Sequence, residues 1–368
     1  MVSMSKPNIL AARDINSRAE FHSDISIPSK TGNPVLDANL FDLAHRFCGD
    51  HSPEVVLEML ATTMNAAMDP DAEEHDLKIM SVTIKEMLDA DRMFRPFTNV
   101  RKVTCYGSAR TQPDDPSYKI AKKFSREMTK RGYMVITGGG PGIMQACNEG
   151  AGEKNSFGLN ITLPYEQHPN HVMLNSKKMM NFYYFFTRKL NFLKQTDALV
   201  AFTGGFGTMD EIFETITLIQ TGKSTIFPVV LLDPPGEMFW KRWWDFVLRE
   251  LLAAGLISPE DTRLMYLSKS WEDAVDHIEH FYSRFHSYFF FEDTITLRLM
   301  SPLNEESLDW LRTDYADLMP KNDLLLMECS DDLDPQPSLS ELPRLRFTFR
   351  RGNYARLRML IDAVNDLS

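Results

Sequence analysis

Long apolar runs, paired cysteines and an excess of basic charge are all missing from this chain, and each absence removes a class of protein. No segment reaches the ~18 consecutive apolar residues of a membrane span, and the polar opening MVSMSKPNIL has no signal-peptide hydrophobic region. Neither a membrane partner nor secretion is expected, and the chain reads as soluble and cytoplasmic. The four cysteines, Cys48, Cys105, Cys147 and Cys329, are scattered without paired or metal-ligand spacing. They are expected to be reduced structural thiols, with neither a catalytic nor a metal-binding task. With 40 Lys and Arg against 51 Asp and Glu, the formal charge is −11. Nucleic-acid binding draws on clustered basic side chains, so no nucleic-acid partner is expected. An anionic small molecule would have to be held by a local basic pocket.

What remains is the composition of an ordinary globular protein, 43% hydrophobic and 25% charged in a chain of 368 residues. That length is generous for one compact domain and suggests a central domain with terminal additions. Residues 1–34 are polar, show no sustained periodicity and read as a loose arm. Helical spacing begins after Asn39: Leu40, Leu43, Ala44 and Phe47 recur, then Val56, Leu57, Leu60 and Met64 after Pro53, then Met80, Ile84, Met87 and Leu88. Residues 1–98 are thus expected to be an arm and an N-terminal helical extension.

Between residues 99 and 285 the pattern changes. Short apolar runs, Lys102–Tyr106, Tyr133–Thr137, Gly158–Leu163, Ala198–Phe202 and Phe227–Leu232, alternate with amphipathic segments. Near-continuous apolar strands separated by helices predict a parallel sheet covered on both faces. This is a Rossmann-like, doubly wound α/β domain, whose ligands bind at the carboxyl ends of the strands. Residues 286–368 carry strand-like Thr294–Met300 and Arg346–Arg350, a loop rich in Asp, Pro and Ser over Asp331–Pro343, and an amphipathic finish through Leu357, Leu360, Ile361 and Val364. They predict a small C-terminal α+β appendage in which no chemistry is legible.

Two strand-to-helix turns are rich in glycine. Tyr133-Met-Val-Ile-Thr-Gly-Gly-Gly-Pro-Gly-Ile-Met144 runs from a strand through Gly138, Gly139 and Gly140 into a helix. Glycine lets a ligand approach the backbone, and the helix start offers unpaired N–H groups and a positive dipole end. A phosphate or ribose site is one reading; a tight turn holding nothing is the other, because a lone glycine-rich turn is a weak signal. The second turn, Ala198-Leu-Val-Ala-Phe-Thr-Gly-Gly-Phe-Gly-Thr-Met-Asp-Glu211, repeats the pattern. The N–H groups of Gly205, Phe206, Gly207 and Thr208 would surround an anion, and the Thr208 hydroxyl could cap the helix or bind phosphate. Gly107 and Ser108 end the first strand and add a third small lip.

Asn175–Thr196 reads as a helix with apolar residues on more than one face: Met179, Tyr183, Phe186, Leu190 and Leu193 form one stripe, while Phe185 and Phe192 flank Arg188 on another. Arg188 is expected near a buried surface, where a guanidinium needs a carboxylate or a ligand phosphate. An arginine tied to a structural Asp, or snorkelling to water, is the alternative. Glu211 is expected in the first turn of the helix opened by the second glycine loop, a place the helix dipole alone would explain. Beside a phosphate, its carboxylate would have to point past the anion toward the sugar and be balanced by a cation such as Arg188. An anion clamp plus one carboxylate suits N-glycoside cleavage, in which the carboxylate stabilises an oxocarbenium-like transition state and orients water. Glu166, just past another strand, could hold the ribose hydroxyls or be a solvated loop acid.

Together, Tyr106-Gly-Ser108, Gly138-Gly-Gly-Pro-Gly-Ile-Met144, Gly158-Leu-Asn-Ile-Thr-Leu-Pro164 with Glu166, Arg188-Lys189 and Gly204-Gly-Phe-Gly-Thr-Met-Asp-Glu211 resemble the LOG family, over roughly residues 101–285. That family comprises cytokinin-activating phosphoribohydrolases and bacterial nucleotide nucleosidases, often mislabelled as lysine decarboxylases. The resemblance implies hydrolysis of the N-glycosidic bond of nucleoside 5'-monophosphates, AMP-like or cytokinin riboside monophosphates, to free base and ribose 5-phosphate. It implies Arg188 and Glu211 as catalytic residues, Lys189 beside the substrate, the 5'-phosphate on the loop Gly205–Thr208, and Thr217 as a further substrate contact. It also implies a homo-oligomer, dimer or larger. One departure is Thr203, where the family usually has a proline. Decarboxylation would need pyridoxal phosphate held by a Schiff-base lysine; no such constellation is apparent in the sequence, and no cofactor is expected. Two competing readings are a non-catalytic nucleotide-binding sensor or cofactor carrier on the same fold, and an enzyme whose terminal regions bind a regulatory nucleotide.

Overall fold

The computed structural model describes residues 30–163, 168–327, 334 and 336–367. The first part of the expected arm, Glu166, Cys329 and residues 331–333 lie outside the described residues. Contacts divide the chain into a smaller unit that ends at Asp89 and a larger one from Ala90 onward.

In the smaller unit, helix α1 (Pro34–Phe47) pairs with α2 (Pro53–Met68); α3 (Glu74–Phe94) follows and its last residues, from Ala90, belong to the larger unit. Helix α1 starts where it does because the Asn33 side chain accepts from the N–H groups of Val35 and Leu36, with Pro34 at the first helical position. Leu40, Ala44 and Ala61 are buried, whereas Leu43 and Phe47, which share the helical spacing, are exposed.

The larger unit carries seven strands, β1 (Lys102–Tyr106), β2 (Met134–Thr137), β3 (Ser156–Ile161), β4 (Met179–Phe182), β5 (Ala198–Phe202), β6 (Val229–Leu232) and β7 (Tyr266–Ser268). They form one sheet in the order β4-β3-β2-β1-β5-β6-β7, with every pairing parallel. The crossovers are α4 (Pro116–Lys130), α5 (Ile143–Ala151), α6 (Phe185–Gln195), α7 (Phe206–Gln220) and α8 (Phe239–Phe246), and α9 (Trp271–Phe281) follows β7. Successive strand residues face opposite sides. Val103 and Cys105 join Phe124, Ala146 and Ile278 in one core, whereas Tyr106 joins Phe192 and Ile212 in the other. The α/β, doubly wound architecture follows directly.

The five strands expected from apolar runs are buried throughout, but the edge strands β4 and β7 are only partly so and lack a continuous apolar signature. This corrects one expectation. Asn175–Thr196 is not a single helix: Met179–Phe182 pairs in register with Gly158–Ile161, and α6 starts only at Phe185. The apparent stripe crosses that boundary, and Tyr183, Phe186 and Leu190 are exposed.

The C-terminal segment forms β8 (Phe285–Phe291), β9 (Thr294–Leu299), α10 (Glu305–Asp314), β10 (Leu325–Met327), β11 (Arg344–Thr348) and α11 (Tyr354–Asp366). Its strands make an antiparallel sheet in the order β10-β11-β9-β8. Leu357, Leu360, Ile361 and Val364 of α11 are fully buried and share a core with Ile212 and Ile219 of α7. The Asn365 side chain fastens the join, donating to the Phe281 carbonyl at 2.7 Å and accepting from the N–H of Phe285 at 2.8 Å. Among the described residues, no helix is long and apolar enough to cross a membrane.

Candidate active site

Strands β2, β3 and β4 lie on one side of β1, and β5, β6 and β7 on the other. The carboxyl ends of β1 and β5 therefore flank the point where the winding reverses, the usual ligand crevice of an open α/β sheet. Three loops meet there. The Ser108 N–H donates to the Thr203 carbonyl at 3.1 Å, and the Ser108 carbonyl accepts from the Ile143 N–H at 3.0 Å. Gly142 has φ +68°, and a Cβ there would collide with the Ser108 carbonyl. A side chain at Gly107 would likewise run into Ile143. This close approach needs glycine.

The two glycine loops differ in what they offer. Gly139 and Gly140 are buried, and both their carbonyls accept from the Asn170 side-chain amide at 3.0 Å. The Gly139 N–H is taken by Thr137 Oγ1 at 2.9 Å. The first loop is thus a rigid wall that gives close approach more than hydrogen bonds. In the second, Gly205 caps α7 without a side-chain hydrogen bond. The N–H groups of Gly205, Phe206 and Gly207 have no acceptor among the described residues, and a Cβ at Gly205 or Gly207 would meet nothing within 4 Å. Thr208 is not the cap: its side chain is buried against Gly204. The Phe206 ring is 96% exposed, so only its backbone can serve the loop.

Arg188 lies in the first turn of α6, where Nε donates to the Leu159 carbonyl at 2.9 Å and one terminal nitrogen lies against Gly138. The guanidinium sits 5.2 Å from the Phe192 ring centroid. No carboxylate ion pair holds it among the described residues, so donors remain for an anion.

Glu211 falls in the second turn of α7, not the first, and is 6% exposed. A helix dipole acts mainly over the first turn, so it does not account for this acid. Burial pushes the carboxyl up to about 7; Arg188 and Lys189 pull it down, while Asp210 and Glu214 push it further up. The Tyr106 phenol lies beside it and is raised first by its own burial and then by the Glu211 charge. A carboxyl poised near neutrality, next to a phenol and a guanidinium, suits proton transfer and stabilisation of developing positive charge.

Lys189 is engaged by Asp210 at 2.8 Å and Glu214 at 2.6 Å. Burial lowers its pKa, but these hydrogen bonds outweigh that effect and raise it. It therefore neutralises the two acids that bracket Glu211 and offers less to a phosphate than a free lysine would. Thr217 is not brought into the cluster: it is exposed, and its hydroxyl donates to the Phe213 carbonyl at 2.7 Å. Six residues place it about 120° around α7 from Glu211. Tyr106 and Asn170 are the residues sequence reasoning missed. Tyr106 ends an apolar strand beside a glycine, which was a signal; Asn170 lies in an irregular loop and carried none. Among the described residues, no group of three or more His, Cys, Asp or Glu could hold a metal ion.

The family described as "Possible lysine decarboxylase" matches residues 144–278. The probable cytokinin riboside 5'-monophosphate phosphoribohydrolase LOGL3 of Oryza sativa subsp. japonica is 24% identical over 182 residues, covering 49% of this chain and 84% of its own length. The cytokinin riboside 5'-monophosphate phosphoribohydrolase LOG7 of Arabidopsis thaliana is 26% identical over 190 residues, covering 50% and 81%. Among solved structures, a structural-genomics target matches at 25% identity with a TM-score of 0.36, covering 49% of this chain and 98% of that one. The molybdenum cofactor carrier protein of Chlamydomonas reinhardtii matches at 18% identity with a TM-score of 0.35, covering 49% and 96%.

Proposed function

We propose, from the premise that the central domain is of the LOG family, that this chain hydrolyses the N-glycosidic bond of a nucleoside 5'-monophosphate to free base and ribose 5-phosphate. The observation that carries the reading is the buried Glu211 carboxyl, raised to about 7 beside Arg188 and Tyr106, on the same helix as an open run of backbone N–H groups. The 5'-phosphate sits on the N–H groups of Gly205 to Gly207, with Thr208, at the positive end of α7. The glycine wall at Gly139 and Gly140 and the lip of Gly107 and Ser108 then admit the sugar, whose hydroxyls we assign to Glu166. As the C1'–N bond breaks, its electron pair leaves with the base. The Glu211 carboxylate stabilises the positive charge on the ribose and takes a proton from the water whose oxygen bonds to C1', and the departing base takes up a proton in turn, so that one water is consumed and the carboxylate is restored. Arg188 supplies donors to the anionic substrate.

A panel of purine, pyrimidine and cytokinin riboside monophosphates, followed by chromatography of the released bases, tests this. Release of a base from one or more of them supports hydrolysis. Tight binding with no release from any supports a carrier or sensor.

The same reading includes a homo-oligomer in the cytoplasm. Phe185, Phe186 and Leu190 of α6 and Phe206 and Phe213 of α7 are all exposed, on the two helices that frame the site, and a second copy would cover them. Cys105 and Cys147 are buried free thiols, which suits a reducing compartment. Sedimentation velocity giving only a monomer would remove the oligomer.

A further inference from the structure

The opposite end of the parallel sheet holds a second cavity. Arg101 precedes β1, Arg131 and Tyr133 precede β2, and Glu279, Tyr282 and Ser283 come from the end of α9 and just beyond; together they line a space of about 270 Å³. It opens at the amino ends of strands whose carboxyl ends carry the site described above.

Its polar groups are only partly consumed by one another. The Arg101 guanidinium lies 3.8 Å from the Tyr282 ring centroid and has no carboxylate partner among the described residues. Stacking on a ring fixes a guanidinium and leaves its edge of N–H donors available. Tyr282 is itself anchored, its hydroxyl donating to the Asp197 carbonyl at 2.6 Å. Arg131 is held only at long range, 3.4 Å from Glu127 and 3.5 Å from Glu279. Tyr133 is 5% exposed, yet its hydroxyl has no hydrogen-bond partner among the described residues. A buried hydroxyl without a partner is costly unless another atom fills the gap. Burial also raises this phenol, so it stays a donor.

We propose that this cavity binds a small sugar phosphate. The phosphate lies between the Arg101 and Arg131 guanidiniums, with the Tyr133 hydroxyl donating to it. Two guanidiniums and a phenol supply more donors than Glu127 and Glu279 use, and the fork geometry of a guanidinium matches phosphate oxygens. The opposing charges are Glu279, Glu127, which lies 3.4 Å from Arg131, and Asp197, which acts on Tyr133 and whose carboxylate accepts from the Lys102 N–H at 2.8 Å. Glu279 only accepts hydrogen bonds, so beside a phosphate it calls for a ligand that also carries hydroxyls, and Ser283 adds a further polar contact. The cavity is larger than a bare phosphate ion and has room for the sugar.

Isothermal titration of the full chain with ribose 5-phosphate tests this, run on the parent, Arg101→Gln, Tyr133→Phe and Arg188→Gln. The last variant separates this cavity from the glycine-loop site, where the same compound would bind as a product. We expect one equivalent to persist in Arg188→Gln, its affinity to fall at least tenfold in Arg101→Gln, and severalfold in Tyr133→Phe, whose ring packing is kept. Unchanged affinity and stoichiometry in both Arg101→Gln and Tyr133→Phe would overturn the site, as would no binding by the parent at millimolar concentration. Binding lost in Arg188→Gln but intact in Arg101→Gln places the ligand at the glycine loops and overturns it too. Equal binding of unphosphorylated ribose would refute the phosphate contact.

Discussion

Replacing Glu211 by glutamine is expected to make the protein more stable and inactive at once. Burial carries this carboxyl from its ordinary 4.5 to about 7. Between those values the folded chain holds a proton that the unfolded chain has released. Stability therefore falls as pH rises through this window and stays lower above it. At about 1.4 kcal/mol per tenfold change in proton affinity, the loss is about 3 kcal/mol. Glutamine keeps the shape of the neutral carboxyl without its titration. Glu211→Gln should come within about 1 kcal/mol of the parent near pH 5 and exceed it by about 3 kcal/mol at pH 8, roughly 5–10 °C in melting midpoint for a unit of this size. The attraction of Arg188 for the carboxylate is already contained in the raised value and does not alter the sign. Base release should be nearly abolished, while nucleotide affinity is kept or improved, because repulsion between the carboxylate and the phosphate is gone. Melting curves of both proteins from pH 5 to pH 8, with base release and nucleotide titration, check each part. A constant difference in midpoint across that range would refute the raised carboxyl, and turnover at the parental rate would refute its catalytic role.

Turnover is expected to require the 5'-phosphate, because the open N–H groups before α7 otherwise lack an anion; equal rates on AMP and adenosine at matched concentration would contradict that. In the parent, kcat/KM should rise with pH through about 7 as the Glu211 carboxylate forms. Lys189→Ala removes the cation shared by Asp210 and Glu214, so the same rise should move to more alkaline pH; an unmoved profile with only a higher KM would make Lys189 a simple substrate ligand. Asp334 is held down to about 2: burial opposes ionisation, but hydrogen bonds from Arg298 and Arg344, with contacts of 2.6 and 2.5 Å, prevail. Asp334→Ala would leave two buried guanidiniums without their carboxylate and should cost about 3–5 kcal/mol in urea unfolding; a loss under 1 kcal/mol would show that solvent reaches them.

How far the sequence carried depended on where each signal was stored. The inner strands were legible because a strand buried on both faces must be apolar at every position, as in Ala198–Phe202. Met179–Phe182 at the sheet edge has no such obligation, and Met179 joined by chance with Tyr183 and with Phe186, Leu190 and Leu193 of α6 into a helical spacing. Chemistry followed the same rule. Glycines at a strand end announce a backbone that must pass close to something, and Gly142 against Ser108 bears that out. Charge balance does not announce itself in one dimension. The fork of Lys189 between Asp210 and Glu214 depends on the angle at which α6 meets α7, and matching a pattern says nothing about where Thr217 stands on its helix, which is about 120° around α7 from Glu211. The second cavity lay further still from any sequence signal: Arg101, Tyr133 and Tyr282 come from three separate segments, and only the parallel alignment of β1 and β2 with the end of α9 brings them together. A motif therefore marks where backbone geometry is constrained, while the partners of each ionised group are set by packing, and it is those partners that decide whether Glu211 is an inert helix acid or a carboxylate poised near neutral pH.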